Sequence, residues 1–91
     1  MFEWDEEKSK TNLRTHGLSF EDAGLVFGGD CLTFQDTRQD YGEPRFITFG
    51  LFMGRLVVIA HTPRGANTRI ISMRKGNERE KAAYQKRLEE G

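Results

Sequence analysis

Residues 45–74 read RFITFGLFMGRLVVIAHTPRGANTRIISMR, three runs of β-branched and aromatic residues separated only by GR and PRGAN. Parallel neighbours need a crossover of a dozen residues or more, so strands joined this closely must pair antiparallel. The reading places strands at 45–53, 55–62 and 68–74, with a shorter one at CLTFQ, 31–35, before the loop TRQDYGEP. Large apolar residues occur at both parities of the two central strands, which implies cover on one face and a partly apolar second face. The result is a four-stranded, mainly antiparallel sheet.

Before Gly28-Gly29 the period is 3.6 rather than 2. Asp5 is placed to cap a first helix over 5–16, and Gly17 to end it in a left-handed conformation. Ser19 with Asp22 resembles a capping box, and Leu18 with Ala23 a hydrophobic staple, for a second helix whose inward side is Phe20, Ala23, Gly24 and Phe27. NEREKAAYQKRLEE forms a polar C-terminal helix with only alanines, Tyr84 and Leu88 to dock. The first helix is unusual in a different way. Only Leu13 is strongly apolar, while Trp4, Lys8, Asn12 and His16 recur every four residues and share one side. Such a helix presents a surface to a partner instead of a stripe to the core.

A chain of 91 residues buries only roughly 60 to 65% of its surface on folding, enough for one domain over 1–91. Its acidic start, MFEWDEEK, is neither a secretory signal nor a membrane span, so the expectation is a cytoplasmic protein with no membrane partner. One cysteine, Cys31, and two separated histidines match no disulfide framework and no metal pattern, so no cofactor is expected. The formal charge of zero hides a division: residues 1–43 carry ten acidic and four basic side chains, residues 44–91 four acidic and ten basic. From Pro44 to Asn77 there is no carboxylate, while Arg45, Arg55, Arg64, Arg69, Arg74 and Lys75 all fall there. Unaccompanied cations are a footprint for phosphate; the plainer reading is a solvated sheet edge that discourages aggregation.

WDEEKSKTNLRTHGLSFEDA is similar to the opening W-D-x-x-K-x-x-x-N-x-x-K-H-G-[VLI]-[ST]-F-x-[DE]-A of the BrnT family, and HTPRGANTRIISMRKGNEREKAAY to its close, with GEPRF resembling the G-E-x-R element between them. Arg14, Met73 and Gly76-Asn77 depart from the usual residues. The resemblance implies a RelE-like α+β ribonuclease fold and a toxin of a type II toxin–antitoxin pair. It further implies an RNA substrate and inhibition by a BrnA-like antitoxin with a ribbon-helix-helix domain, through which alone DNA would be contacted.

Cutting RNA without a metal uses the 2′-hydroxyl as nucleophile and needs proton transfer at two oxygens and stabilisation of phosphate charge. His16, at a helix C-terminus that favours imidazolium, is the first candidate for general acid; the alternative is a capping histidine. Lys8 lies two turns earlier, in reach of a phosphate. Arg64 and Arg74 complete the expected catalytic set, and Trp4, Asn12, Arg45, Arg69 and Ser72 are expected substrate contacts, with packing of the first helix onto the sheet the preferred alternative for Trp4, and positioning His16 or bonding the loop the alternatives for Asn12. Strict alternation puts Ser72 and Arg74 on one sheet face and Arg69 on the other, so one pocket could hold them all only if a bulge or strand end intervened. Glu43 is a possible base, and His61, inside an apolar strand, reads as structural. The rival functions are a non-catalytic RNA- or protein-binding module and a subunit that acts only with its antitoxin in repression.

Overall fold

The computed structural model describes all 91 residues. Its elements are β1 (Phe2–Glu3), α1 (Glu6–His16), a 3₁₀ turn (Phe20–Asp22), α2 (Ala23–Phe27), β2 (Leu32–Gln35), β3 (Phe46–Phe52), β4 (Arg55–Arg64), β5 (Asn67–Lys75) and α3 (Glu78–Glu90). Asp5 starts α1 by accepting hydrogen bonds from the N–H groups of Glu7 and Lys8 at 2.9 and 3.3 Å, and Gly17 ends it at φ 73°. Ser19 does act as a cap, but for the 3₁₀ turn, through the Glu21 N–H. The expected second helix is therefore a turn followed by five helical residues, with Phe20, Ala23 and Val26 inward, and Gly24 exposed.

The sheet has five strands, not four, in the order β1-β5-β4-β3-β2. The extra strand, β1, pairs parallel to β5, Phe2 beside Thr68 and Glu3 beside Arg69, making the sheet mixed. The other three pairings are antiparallel as expected. Both long hairpins close on two residues. The first turn is Met53-Gly54, one residue earlier than GR, with φ of 52° and 78° at the two positions, the arrangement whose twist suits a tight hairpin.

Opposed residues share a face. Val57, Ile59 and His61 of β4, with Phe46, Thr48, Gly50 and Phe52 of β3, face α1 and α2; the core there is Leu18, Phe20, Ala23, Val26, Val57, Ile59, Ile70 and Met73. Full burial of each large side chain contributes about 1.5 to 3 kcal/mol. A Cβ on Gly50 would lie 2.7 Å from Val26 Cγ1, so the missing side chain is what lets α2 sit against β3. On the opposite face α3 docks through Tyr84, whose hydroxyl donates to the Asp30 carbonyl, beside Leu32, Phe34 and Phe49. No helix is long and apolar enough to cross a membrane.

In β5 the alternation breaks. Ala60 pairs with Ser72 but His61 with Ile70, leaving Ile71 as an extra, bulged residue. Both Ile70 and Met73 are consequently buried on the helix-bearing face. Arg69, Ser72 and Arg74, opposite Thr62, Ala60 and Val58, share the other.

Candidate active site

A cleft of about 320 Å³ opens between the outer side of α1 and the sheet edge where β1 has stopped. Glu7, Lys8, Thr11, Asn12, Thr15 and His16 line it from α1, Phe20 from the 3₁₀ turn, and Ile71, the bulged residue, from β5. Lys8 and His16 are exposed, so the helix that buried so little apolar surface delivers two cationic candidates to one hollow.

Asn12 and Trp4, on the same side of α1 by spacing, have other tasks. Asn12 is buried; its Nδ2 donates to the Leu18 carbonyl at 2.8 Å and its Oδ1 accepts the Met73 N–H at 3.2 Å. It ties the segment after His16 to the strand edge that β1 leaves uncovered. Ser9 adds a second tie, its hydroxyl accepting the Phe20 N–H at 3.1 Å. Trp4 packs against the core, with its indole N–H on Glu6 at 3.0 Å. The network that holds the cleft's floor, Ser9 above all, carried no signal in the sequence beyond a short polar residue.

The expected arginines are elsewhere. None of Arg45, Arg64, Arg69 and Arg74 lines the cleft. The bulge gathers Arg69, Ser72 and Arg74 with Arg64 on one face, as strict alternation could not, but it is the face opposite α1. Each of the four arginines has a carboxylate there. Arg74 makes a two-pronged bond to Glu80 at 2.8 Å for both prongs. Arg69 donates to Glu3 at 3.0 Å, and Glu43 lies 3.6 Å from both Arg45 and Arg64. Arg45 also covers the Tyr41 ring, its guanidinium 4.2 Å from the ring centre. Ser72 is exposed between these pairs.

The pairs leave their mark on titration. Hydrogen bonds from Arg74, and then from the Asn77 backbone, hold the Glu80 carboxyl down at about 2 against the partial burial that would raise it, and Arg74 is raised in turn. Asn67 first, then Arg69, lower Glu3. His61 is buried beside Phe27 and Phe46 with Nε2 2.7 Å from the Thr48 hydroxyl, and burial lowers its pKa. It is a core group and does not line the cleft.

Among curated proteins none matches the chain. The family model described as "Ribonuclease toxin, BrnT, of type II toxin-antitoxin system" matches residues 4–80, from Trp4 at the start of the cleft helix through Glu80, the partner of Arg74. With that span covering α1, the whole sheet beyond β1 and the start of α3, the chain belongs to the BrnT family of ribonuclease toxins of type II toxin–antitoxin systems.

Proposed function

We propose that the chain is a metal-independent endoribonuclease whose reacting groups stand in the α1 cleft, and that a ribbon-helix-helix antitoxin silences it by covering that cleft. The observation that carries this reading is the pairing of Lys8 and His16 along one open hollow. In it, the ribose 2′-oxygen attacks phosphorus as its proton passes to water, the bond to the 5′-oxygen breaks, and that oxygen takes a proton from the His16 imidazolium. A cyclic 2′,3′-phosphate and a free 5′-hydroxyl result. Lys8 holds the charge that builds on the non-bridging oxygens. Proton transfer and charge stabilisation are both assigned to side chains of the cleft, so the mechanism calls for no ion. The site of action in this reading is the cytoplasm, where RNA and antitoxin meet.

In the same reading Arg64 and Arg74 supply background potential, since each must release Glu43 or Glu80 before it can grip a phosphate. The test is cleavage of purified RNA in EDTA. Near-parental rates are expected there, and His16→Ala should lower the rate by a factor of about 100 to 10,000 with the fold and antitoxin binding intact. Activity lost in EDTA and restored by magnesium would overturn the metal-free mechanism; an active His16→Ala would overturn the general acid.

A further inference from the structure

Six cations lie in the carboxylate-free stretch, and four of them are tied to acids supplied by other segments. Arg55 and Lys75 are the two that make no ion pair, and both are exposed. They also differ in side. Arg55 precedes Val57 by two residues on β4, and Lys75 pairs with Val57 across the sheet, so both belong to the face that carries α1. There they line a hollow of about 310 Å³ with Gly17, Leu18, Phe52 and Met53. Gly17 follows His16 directly, so this hollow and the Lys8–His16 cleft flank the same helix end.

Met53 is the second observation. It is 87% exposed at φ 52°, in a hairpin turn position where Asn, Asp or Gly is ordinarily found. A bulky apolar side chain there strains the backbone and buries nothing, so the fold alone gives no reason for it. Beside it Phe52 is half-buried. An apolar platform flanked by two unpaired cations fits a nucleotide, with the base on the platform and its phosphates on the cations. The carbonyl end of α1 repels phosphate, which gives Arg55 and Lys75 a necessary part in bringing a polyanion past it.

We propose that this hollow is a binding subsite for single-stranded RNA, receiving the nucleotides next to the bond cut at His16. The proposal rests on the ribonuclease reading of the α1 cleft and adds to it the path of the strand. It is tested with the purified chain on two substrates: a dinucleotide, which occupies the cleft alone, and an RNA oligonucleotide of about ten nucleotides, within the range such grooves accommodate. For the double variant Arg55→Gln/Lys75→Gln, kcat/KM on the oligonucleotide should fall at least tenfold at low salt. Its log–log salt slope should become shallower by about 1.4, the value for two lost contacts to a single strand. Dinucleotide cleavage should stay parental. Met53→Gly should raise the melting temperature by relieving the turn, and weaken oligonucleotide binding. Direct binding of a labelled oligonucleotide, measured in the His16→Ala background, tests the hollow even if no cleavage is seen, so failure of the catalytic reading and failure of the subsite are separable. Parental affinity in the double variant, or an equal loss on both substrates, would overturn the subsite. So would unchanged RNA binding with weakened antitoxin binding, which would assign the hollow to the protein partner.

Discussion

Asn12 spends both ends of its carboxamide on backbone groups, the Leu18 carbonyl and the Met73 N–H. Asn12→Leu keeps the approximate volume and leaves both groups buried and unsatisfied, at a cost of about 1 to 3 kcal/mol. For a domain of this size that is a fall of roughly 5 to 15 °C in melting temperature. Asn12→Asp should also lose stability, because its second oxygen would face the Leu18 carbonyl. Thermal unfolding of both variants checks this, and an unchanged melting temperature for Asn12→Leu would free Asn12 for a substrate role. The sequence brings Trp4, Lys8, Asn12 and His16 to one side of a helix and assigns Trp4 to the sheet, which is where it packs, but the two backbone ties of Asn12 are not legible in it. At 3.6 residues per turn a four-residue spacing drifts about 40° per step, so Lys8, Asn12 and His16 span only about 80° of the helix, with Asn12 in the middle reaching the backbone of the cleft floor and Trp4 lying before the first helical residue. Lys8 and His16 point to the cleft. Trp4 and Asn12 turn inward.

At the scale of elements, the sheet shows where alternation suffices and where it fails. β3 and β4 follow their apolar pattern, because β3 buries one face at Thr48 and Gly50 and β4 is buried on both faces from Leu56 to Ile59, while the mostly exposed β2 is held by its register with β3. β1 escaped notice because two residues, Phe2 and Glu3, carry no periodicity; what fixes them is pairing with β5 and the bond from the Thr68 N–H to the Met1 carbonyl at 2.9 Å. The Ile71 bulge escaped because Ile70-Ile71 reads equally well in either phase. Its consequence is to put Arg74 on the outer face, where Glu80 joins β5 to the first turn of α3 while also accepting the Asn77 N–H of the capping box at 2.9 Å. Half-exposed ion pairs contribute about 0.2 to 1 kcal/mol, so Arg74→Ala should lower the melting temperature by a few degrees and change cleavage by less than tenfold. Arg74→Lys should recover part of the stability, since a point charge replaces the two-pronged bond incompletely. A hundredfold loss of cleavage in both variants with no change in melting would instead return Arg74 to the reacting phosphate.

Across the whole molecule, the division between acidic and basic halves resolves into ion pairs that stitch the halves together, Glu3 to Arg69 and Glu43 to Arg45 and Arg64. Charge counting located the cations but not their partners, since Glu3 meets Arg69, 66 residues away, and Glu43 meets Arg64 across the loop and two strands only after folding. The same architecture sets an order for acid unfolding. His61 is held neutral in the core, so the unfolded chain takes up its proton near pH 6.5 while the folded chain resists. Its folded pKa is lowered, so its contribution is complete above about 6.5 and declines as pH falls below that. Glu80 acts later: with a folded pKa of about 2 against 4.5, its contribution is present above the unfolded value and is lost as pH falls from there toward 2. Melting temperature followed from pH 8 to pH 2 should therefore drop in two stages. His61→Phe, which keeps an aromatic ring between Phe27 and Phe46 but cannot titrate, should remove the first stage and leave the second. Glu80→Gln should do the reverse, reducing the acid limb to what Glu3, held down by Asn67 and Arg69, and Asp36, held down by Arg38, contribute, while preserving the loss that begins near neutrality. A parental profile in His61→Phe would mean that the early loss arises outside the core, and would separate the buried imidazole from the pH dependence of this fold.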